Sequence, residues 1–354
     1  MKKIFVIFVM MCLTALSGCK PKEQSNRPAQ DKKLSILVYI TGVVAGSPSY
    51  EMLVDGAKEF ADENGDIAIK VYEAGFNQAE WEEQLRSMVS GGEYDLVLGT
   101  NPSLPELCAN VGSAFPAQKF IITDAQYSGN PQISTWLFNQ YEQALFLGYL
   151  SGLVATANMP ANDAAAAVMQ TVNPPRIGFI AAQEFPLLNK QMVPGFLDGA
   201  RLVNPSVELD FRVIGNWFDA NKAADLSSGM INSGVTVITS IAGGASRGII
   251  RTIKDRGVFA VSFNTNEYSL APGNIIGCGI MEQKKLVKEI LADVLSGKIQ
   301  YGIAATVGVK EGYLNFISDD PGYRDYVPVE IQNKFASFMN DLRSGQIAYT
   351  VPPL

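Results

Sequence analysis

Two hydrophobic periods alternate along the chain from Leu34 onward. Short apolar runs, beginning with Leu34–Ile40, are typical of buried parallel strands, and they alternate with stretches of helical period. This alternation occurs twice, before and after a long apolar segment over 139–155 that predicts a helix. It predicts doubly wound α/β layers with right-handed crossovers, and its repetition predicts two similar lobes. Residues 157–175, rich in Ala, Asn and Pro, predict a surface excursion between the two runs.

The predicted strands fall into two groups of four. They are Leu34–Ile40, Ala68–Tyr72, Asp95–Gly99 and Phe120–Thr123 in the first run, and Arg176–Ala181, Glu208–Val213, Val235–Ser240 and Val258–Phe263 in the second. The first helix begins at Pro48, with Ser47 as its N-cap. No strand is predicted between Thr123 and the helix that begins near residue 139.

Ligands of open α/β sheets bind beyond the carboxyl ends of the strands, so the residues that follow each strand are the candidates for a site. They comprise Ser47, Tyr50, Phe76, Asn101 and Asp124 in the first run, and Phe185, Trp217, Asp219, Gly244, Asn264 and Asn266 in the second. Five aromatic residues follow strands when Phe218 is counted, which favours a flat, ring-bearing ligand over a free sugar or amino acid. A carboxylate at Asp124 suits a diol, because it can accept two hydroxyl hydrogen bonds. Local packing of each aromatic residue, and a turn or cap role for Asp124, remain alternatives.

The glycine-rich turn after the first strand lacks the residues of a phosphate-binding loop. The stretch Thr41–Tyr50 contains neither G-x-x-x-x-G-K-[ST] nor G-x-G-x-x-G. A helix N-terminus can still bind a polar or anionic group through its free N–H groups. A well-capped helix without a ligand is the alternative.

Composition narrows the functional classes. The 354 residues are 47% hydrophobic and carry a net charge of −7, which predicts a folded protein with two domains and no nucleic-acid partner, since phosphate binding needs a basic face. Histidine is absent, so His-dependent catalysis and His metal sites are excluded, and no metal site is predicted. Glu184 and Asp219 remain as a conceivable acid–base pair of a glycoside hydrolase.

The N-terminus predicts export and lipid attachment. A charged start is followed by an apolar stretch, Ile4–Leu16, that is too short to anchor the chain by spanning a membrane. The following Leu16-Ser17-Gly18-Cys19 looks like a bacterial lipobox, which implies a signal peptide over 1–18 and a diacylglycerol on Cys19. A plain signal peptide is the alternative.

The segment 19–33 is polar and predicts a disordered tether that holds a periplasmic protein at the membrane. Cys108 and Cys278 remain in the folded part, where buried free thiols are favoured over a disulfide.

Several segments together resemble the basic membrane protein family, the PnrA-like lipoproteins that serve as substrate-binding proteins of ABC transporters. They are Gly92–Gly99, Phe115–Pro116, Lys119–Asp124, Asn139–Gly152, Arg176–Phe179, Pro194–Ala200, Gly215–Asp219 and Ile241–Gly244. The resemblance implies a type I periplasmic-binding-protein fold with a three-segment hinge. It places lobe 1 at 34–138 plus 265–302, and lobe 2 at 139–264 plus 303–354. It also implies a monomeric binding protein, neither an enzyme nor cofactor-dependent, that delivers a small molecule to an ABC permease.

The resemblance also bears on the ligand. Family members that are nucleoside receptors stack a purine between aromatic residues and hold its ribose with carboxylates and a lysine. This chain departs from that pattern at Gly46–Tyr50, at Asn264 or Asn266, and at Met281–Gln283. The stretch "GVVAGSPSYEML" is similar to a spirochaetal branch that binds riboflavin. The expected ligand is therefore riboflavin, held by aromatic stacking and by hydrogen bonds to its ribityl chain. Purine nucleosides are the alternative, and a surface hydrolase is a more distant one.

Overall fold

The computed structural model describes residues 34–157, 159 and 173–354. The predicted signal peptide, Cys19, the tether and most of the excursion over 157–175 lie outside the described residues. The part of the chain from Leu34 to Leu354 forms one compact unit.

Two six-stranded sheets form the framework. The first has the strand order β11-β5-β4-β3-β1-β2, and the second has the order β12-β10-β9-β8-β6-β7. The strands of the first sheet are β1 (Leu34–Ile40), β2 (Ile67–Glu73), β3 (Leu96–Thr100), β4 (Lys119–Thr123), β5 (Ile133–Phe138) and β11 (Ala304–Val307). Those of the second are β6 (Arg176–Ala181), β7 (Glu208–Val213), β8 (Val235–Ile241), β9 (Phe259–Ser262), β10 (Ile275–Met281) and β12 (Leu314–Phe316). Among the strands of the described residues, only β12, which pairs with β10, is antiparallel to its neighbour.

Helices connect the strands, as the alternating pattern predicts. They are α1 (Pro48–Asn64), α2 (Gln78–Val89), α3 (Leu104–Ala114), α4 (Gln140–Thr156), α5 (Val193–Val203), α6 (Ala220–Asn232), α7 (Ser246–Arg256), α8 (Gln283–Leu295), α9 (Pro321–Arg324) and α10 (Val329–Ser344). A π-helical turn, Leu188–Met192, leads into α5. None of the helices in the described residues is both long and apolar enough to cross a membrane.

The chain passes between the sheets three times, after β5, after β10 and after β11. This confirms the predicted α/β fold with two lobes and a three-segment connection. Helix α8 packs on α1, where Lys284 and Lys288 form ion pairs with Glu59 and Glu63 at 2.6 Å each.

Two strand assignments over 265–354 were wrong. Strand β10, expected in lobe 1, pairs with β9 in the second sheet. Strand β11, expected in lobe 2, pairs with β5 in the first sheet. The chain leaves the second sheet one strand later than expected, because β10 forms its hydrogen bonds with β9 before the chain returns to the first sheet. Strand β5 itself was missed because no helix separates it from β4, so the alternation of periods is interrupted there.

The most closely packed helices are α4 and α5, which carry two of the segments behind the family resemblance. A β-carbon added to Gly199 would overlap the carbonyl oxygen of Leu145, and one added to Gly148 would overlap that of Phe196. The glycines of these segments therefore allow backbone-to-backbone contact between the crossing helix and the second lobe. Helix packing, rather than contact with a ligand, therefore explains the glycines of these two segments.

A buried carboxylate joins the crossing segments. Glu142, at the start of α4, accepts a hydrogen bond from the Val309 amide at 2.8 Å and another from the Tyr349 hydroxyl. Burial raises the pKa of Glu142, and the Tyr349 and Val309 bonds oppose that shift. Its neighbour Gln143 is also fully buried, and neither of its amide atoms has a partner among the described residues.

The two remaining cysteines are free and buried, as predicted. Burial raises the pKa of both thiols.

Candidate functional site

Four side chains meet at the carboxyl ends of β1, β2 and β3. The Tyr50 hydroxyl donates to the carbonyl oxygen of Thr41 and also lies 3.1 Å from Thr41 Oγ1. Thr41 Oγ1 in turn accepts a hydrogen bond from Asn101 Nδ2 at 3.0 Å. A β-carbon added to Gly42 would lie 2.9 Å from the Tyr50 ring and 3.4 Å from the Phe76 ring. The structure therefore brings Tyr50, Phe76 and Asn101 together around the start of the first loop. Phe76 is 75% exposed.

The loop between β1 and α1 is organised by two of the chain's own carboxylates. Glu73 Oε1 accepts from the Val44 amide at 2.6 Å, and Glu51 Oε1 accepts from the Gly46 amide at 2.9 Å. Ser47 occupies the predicted N-cap position, but its side chain makes no capping hydrogen bond. Instead, the Glu51 side chain accepts a hydrogen bond from the loop at Gly46. The sequence analysis did not predict this role for Glu51.

Gln283 also holds this loop. Its Nε2 donates to the Ser49 carbonyl oxygen at 2.8 Å, and its Oε1 accepts from Ser49 Oγ at 3.3 Å. Gln283 is fully buried and is the first residue of α8. Gln283, in the stretch Met281–Gln283 where the chain departs from the nucleoside-receptor pattern, is thus bonded to the first loop.

Asp124 follows β4 in a left-handed backbone conformation, with φ of 52°. Its Oδ1 accepts from Gln140 Nε2 at 2.8 Å. Burial raises the pKa of Asp124 to about 6, and the Gln140 hydrogen bond limits the rise. A carboxyl group with this pKa changes charge close to neutral pH. Gln140, which sequence reasoning missed, places it beside the first turn of the crossing helix.

At the carboxyl end of the second sheet, the turn after β7 presents two aromatic rings. Trp217 is 42% exposed and Phe218 is 80% exposed. Trp217 Nε1 donates to Gln183 Oε1 at 3.1 Å. A β-carbon on Gly243 would lie 3.2 Å from the Trp217 ring, and one on Gly244 would lie 3.4 Å from its carbonyl oxygen. The glycine turn after β8 therefore makes room for Trp217.

Three predicted residues of the second lobe have structural partners. Asp219 accepts from the Lys222 amide at 2.9 Å and caps α6. Phe185 is half-buried and packs on the main core. Glu184 accepts from Asn189 Nδ2 at 2.8 Å. No hydrogen bond within the described residues joins Glu184 to Asp219.

The two asparagines after β9 lie in different surroundings. Asn264 has a left-handed backbone, with φ of 72°, and its Oδ1 is buried without a partner in the described part of the chain. Asn266 Nδ2 donates to Asp320 Oδ2 at 2.9 Å, beside a surface hollow that also contains Tyr326. The structure therefore places Asn264 at the strand end and bonds Asn266 to the N-cap of α9.

Over residues 34–157, 159 and 173–354, no group of three or more Cys, Asp or Glu side chains is arranged to hold a metal ion. The strand-end groups comprise aromatic rings, amides, hydroxyls and one carboxyl group of raised pKa. They can stack on a planar ring and hydrogen-bond to hydroxyl groups.

Several curated and solved proteins are similar to this chain over most of its length. A curated protein of Lactococcus lactis subsp. cremoris, the ABC transporter nucleoside-binding protein BmpA, is 22% identical over 371 residues, covering 96% of this chain and 95% of that protein. A CD4+ T-cell-stimulating antigen of Listeria innocua is 21% identical over 267 residues, covering 72% and 69%. A solved ABC transporter solute-binding protein from Aeropyrum pernix K1 has a TM-score of 0.73 at 20% identity, covering 91% and 94%. That structure supports the fold.

The family model described as ABC transporter substrate-binding protein PnrA-like matches residues 33–341. This range includes both sheets and every strand-end residue described above. The chain therefore belongs to the family of PnrA-like substrate-binding proteins of ABC transporters.

Proposed function

We propose that this substrate-binding protein carries riboflavin to an ABC permease and holds it between its two lobes. The observation that carries the proposal is the set of exposed rings at the strand ends of both sheets: Phe76, Trp217 and Phe218. Exposed apolar surface that is gathered at one place marks a candidate binding surface. A planar tricyclic ring offers them two large faces for stacking.

The polar groups at the strand ends suit an uncharged polyhydroxylated chain. Asp124 is proposed to accept ribityl hydroxyls, and Asn101, Ser47 and the backbone at Gly244 are proposed to form further hydrogen bonds to the ligand. The buried Oδ1 of Asn264 lacks a partner among the described residues and is available to accept from a ligand hydroxyl or ring N–H. Tyr50 is proposed to line the pocket through its ring, because its hydroxyl is bonded to Thr41.

Purine nucleosides are the second candidate. The Lactococcus lactis relative is named as nucleoside-binding, at 22% identity over nearly its whole length. A purine would use the same aromatic faces. The two candidates differ in ring width and in the number of hydroxyl groups.

Members of this family are solute-binding proteins rather than enzymes, and they bind their ligands without a cofactor. The hydrolase alternative is therefore set aside. The residues proposed for it are engaged locally, Asp219 as a helix cap and Glu184 with Asn189.

Titration of ligand-free protein separates the candidates. We expect riboflavin to bind and to quench tryptophan fluorescence, because Trp217 is one of the proposed stacking residues, and inosine to bind at least about tenfold more weakly, a difference of about 1.4 kcal/mol. Tight inosine binding without riboflavin binding would transfer the proposal to the nucleoside.

Family members act outside the cytoplasm, and we propose that this chain is held at the membrane through a lipid on Cys19. The motivation is the Leu16–Cys19 stretch that resembles a lipobox. Expressed in full in a bacterium, the chain is expected in the membrane fraction, and the Cys19→Ala variant is expected to lose that attachment or remain unprocessed. Equal distribution of the two forms, with no lipid mass on Cys19, would contradict the anchor.

A further inference from the structure

The segment 346–354, which follows α10 and which we call the strap, lies against the crossing helix α4. The Tyr349 ring stacks on the Tyr141 ring, with the ring centroids 5.7 Å apart and the ring planes inclined by 27°. Further along the strap, the carbonyl oxygen of Pro352 accepts a hydrogen bond from Gln191 Nε2 at 2.8 Å. Gln191 is buried in the π-helical turn before α5. The strap therefore connects the start of α4 with the turn that leads into α5.

The three segments that cross between the lobes are hydrogen-bonded to one another. The Asn139 amide of the first crossing donates to the carbonyl oxygen of Val307, where the third crossing begins, at 2.8 Å. The Glu282 amide of the second crossing donates to the carbonyl oxygen of Tyr313, also in the third crossing, at 2.9 Å. Hinge closure of two lobes is absorbed by a few residues of the connecting segments. Here those segments are bonded together, so a movement of the lobes must bend all three.

Glu142 joins the strap to two of these crossings. It lies in the first turn of α4, and its carboxylate accepts from the Val309 amide of the third crossing and from the Tyr349 hydroxyl of the strap. A β-carbon added to Gly308 would overlap Glu142 Oε2, so the glycine gives the carboxylate room beside the third crossing. Glu142 is only 7% exposed, and a buried carboxylate is costly unless its oxygens are hydrogen-bonded. The Tyr349 hydroxyl therefore helps to keep the carboxylate between the crossings.

The same turn of α4 reaches the candidate site. Gln140 Nε2 donates to Asp124 Oδ1 at 2.8 Å. Asn139 Oδ1 caps the helix by accepting from the Glu142 amide at 3.3 Å. Asp124 and the strap are thus hydrogen-bonded to side chains of one helical turn, and this turn is part of the first crossing.

We propose that the strap restrains the movement of the two lobes, because Tyr349 and Glu142 hold the first and third crossings in one arrangement. When the bond between these two side chains is removed, the crossings bend more easily and the lobes adopt a wider range of separations. A ligand that is held between the lobes binds a particular separation, so the restraint affects ligand binding although the strap is not a ligand contact. The inference goes beyond the proposed function, since it depends on the fold and not on which ligand is bound.

The test measures the distance between spin labels on the two lobes of the complete, ligand-free protein by pulsed electron paramagnetic resonance. The labels are attached to Ser87→Cys in α2 and Asp225→Cys in α6, which are exposed positions, whereas both native thiols are buried. Tyr349→Phe keeps the stacked ring and removes the hydroxyl that bonds Glu142. We expect this variant to raise the population of separations outside the main peak by about three- to tenfold, the effect of one lost hydrogen bond to a carboxylate.

Two further variants change the same contact in other ways. A chain that ends at Gln346 lacks the strap but keeps the end of α10, where Gly345 is left-handed and the Gln346 amide donates to the Asp341 carbonyl oxygen at 2.8 Å. We expect a change at least as large as that of Tyr349→Phe. Gly308→Ala displaces the Glu142 carboxylate and leaves the strap sequence intact, and we expect the distance distribution to widen in this variant too.

Tyr268→Phe is the matched control, because it removes a buried tyrosine hydroxyl whose partners both belong to the second sheet or follow it directly. That hydroxyl donates to the Ile317 carbonyl oxygen at 2.8 Å and accepts from the Cys278 amide at 3.1 Å. We expect Tyr268→Phe to lower the urea midpoint of unfolding at least as much as Tyr349→Phe does, and to leave the distance distribution unchanged.

Two results would overturn the inference. One is a distance distribution in Tyr349→Phe that equals that of the wild type. The other is an equal widening in Tyr268→Phe, which would trace the effect to a general loss of stability. Because the measurement uses ligand-free protein, a failure of riboflavin to bind would overturn the proposed function and leave this inference standing.

Discussion

Replacement of Gly199 by alanine is expected to lower the free energy of unfolding by about 2–4 kcal/mol, at or above the usual range for overpacking. The added methyl group would overlap the carbonyl oxygen of Leu145 and approach the Tyr149 amide nitrogen at 2.8 Å. Both atoms belong to the backbone of α4, so the collision cannot be relieved by a side-chain rotation. The two helices would have to separate, and the crossing helix would lose its fixed position against the second lobe. Urea unfolding measures the change.

Gly91→Ala is the matched control for this substitution. Its nearest neighbours are side-chain atoms of Glu93 at 3.5 Å or more, so its expected change is below about 1 kcal/mol. Gly152→Ala provides an intermediate case, since its added atom would lie 2.8 Å from the Cα and carbonyl oxygen of Ala200. Equal unfolding midpoints for Gly199→Ala and the wild type would contradict the close packing of α4 and α5.

Asp124→Asn is expected to weaken riboflavin binding by about 10- to 100-fold at pH 7.5, the value of a lost hydrogen bond to a charged group. The wild-type affinity is expected to rise with pH through about 6, where the raised pKa places the ionisation of Asp124. The sign follows from linkage, because ligand hydroxyls that bind the carboxylate lower its pKa in the complex. The asparagine variant is expected to lack this pH dependence. Calorimetric titration between pH 5 and 8 measures both effects.

The pH dependence of the free energy of unfolding tests the Asp124 carboxyl group independently of ligand binding. Since burial raises the pKa of Asp124 in the folded protein above its ordinary value of 3.8, ionisation of this group costs native stability. The wild type is therefore expected to lose stability relative to Asp124→Asn as pH rises from about 4 to 6. Asp255→Asn, at an exposed carboxylate of α7, is the control. A flat affinity profile in the wild type, together with unchanged affinity in Asp124→Asn, would exclude Asp124 from the site.

Much of the fold could be predicted from the local sequence pattern. The prediction errors occur where that pattern does not mark a boundary between elements. Strand β1 was predicted at its observed limits because seven consecutive residues separate clearly from the glycine-rich loop. Strand β5 was missed because a helix-free connection precedes it. The return of β11 to the first sheet depends on pairing with β5 across more than 160 residues, which no local period encodes.

The candidate site shows the same limit. Exposed rings such as Trp217 could be predicted because they follow a strand end directly. The amides of Gln140 and Gln283 could not, because their partners lie far away along the chain or on another element. Asn266 follows the same strand as Asn264, but the chain has already turned toward α9, where it bonds Asp320.

The most direct test of the account is the identity of the molecule that the protein carries when purified without added ligand. The protein is denatured, and the absorbance of the released material is recorded. The account predicts a visible flavin spectrum in stoichiometric proportion to the protein. A purine ultraviolet band without flavin absorption would contradict it.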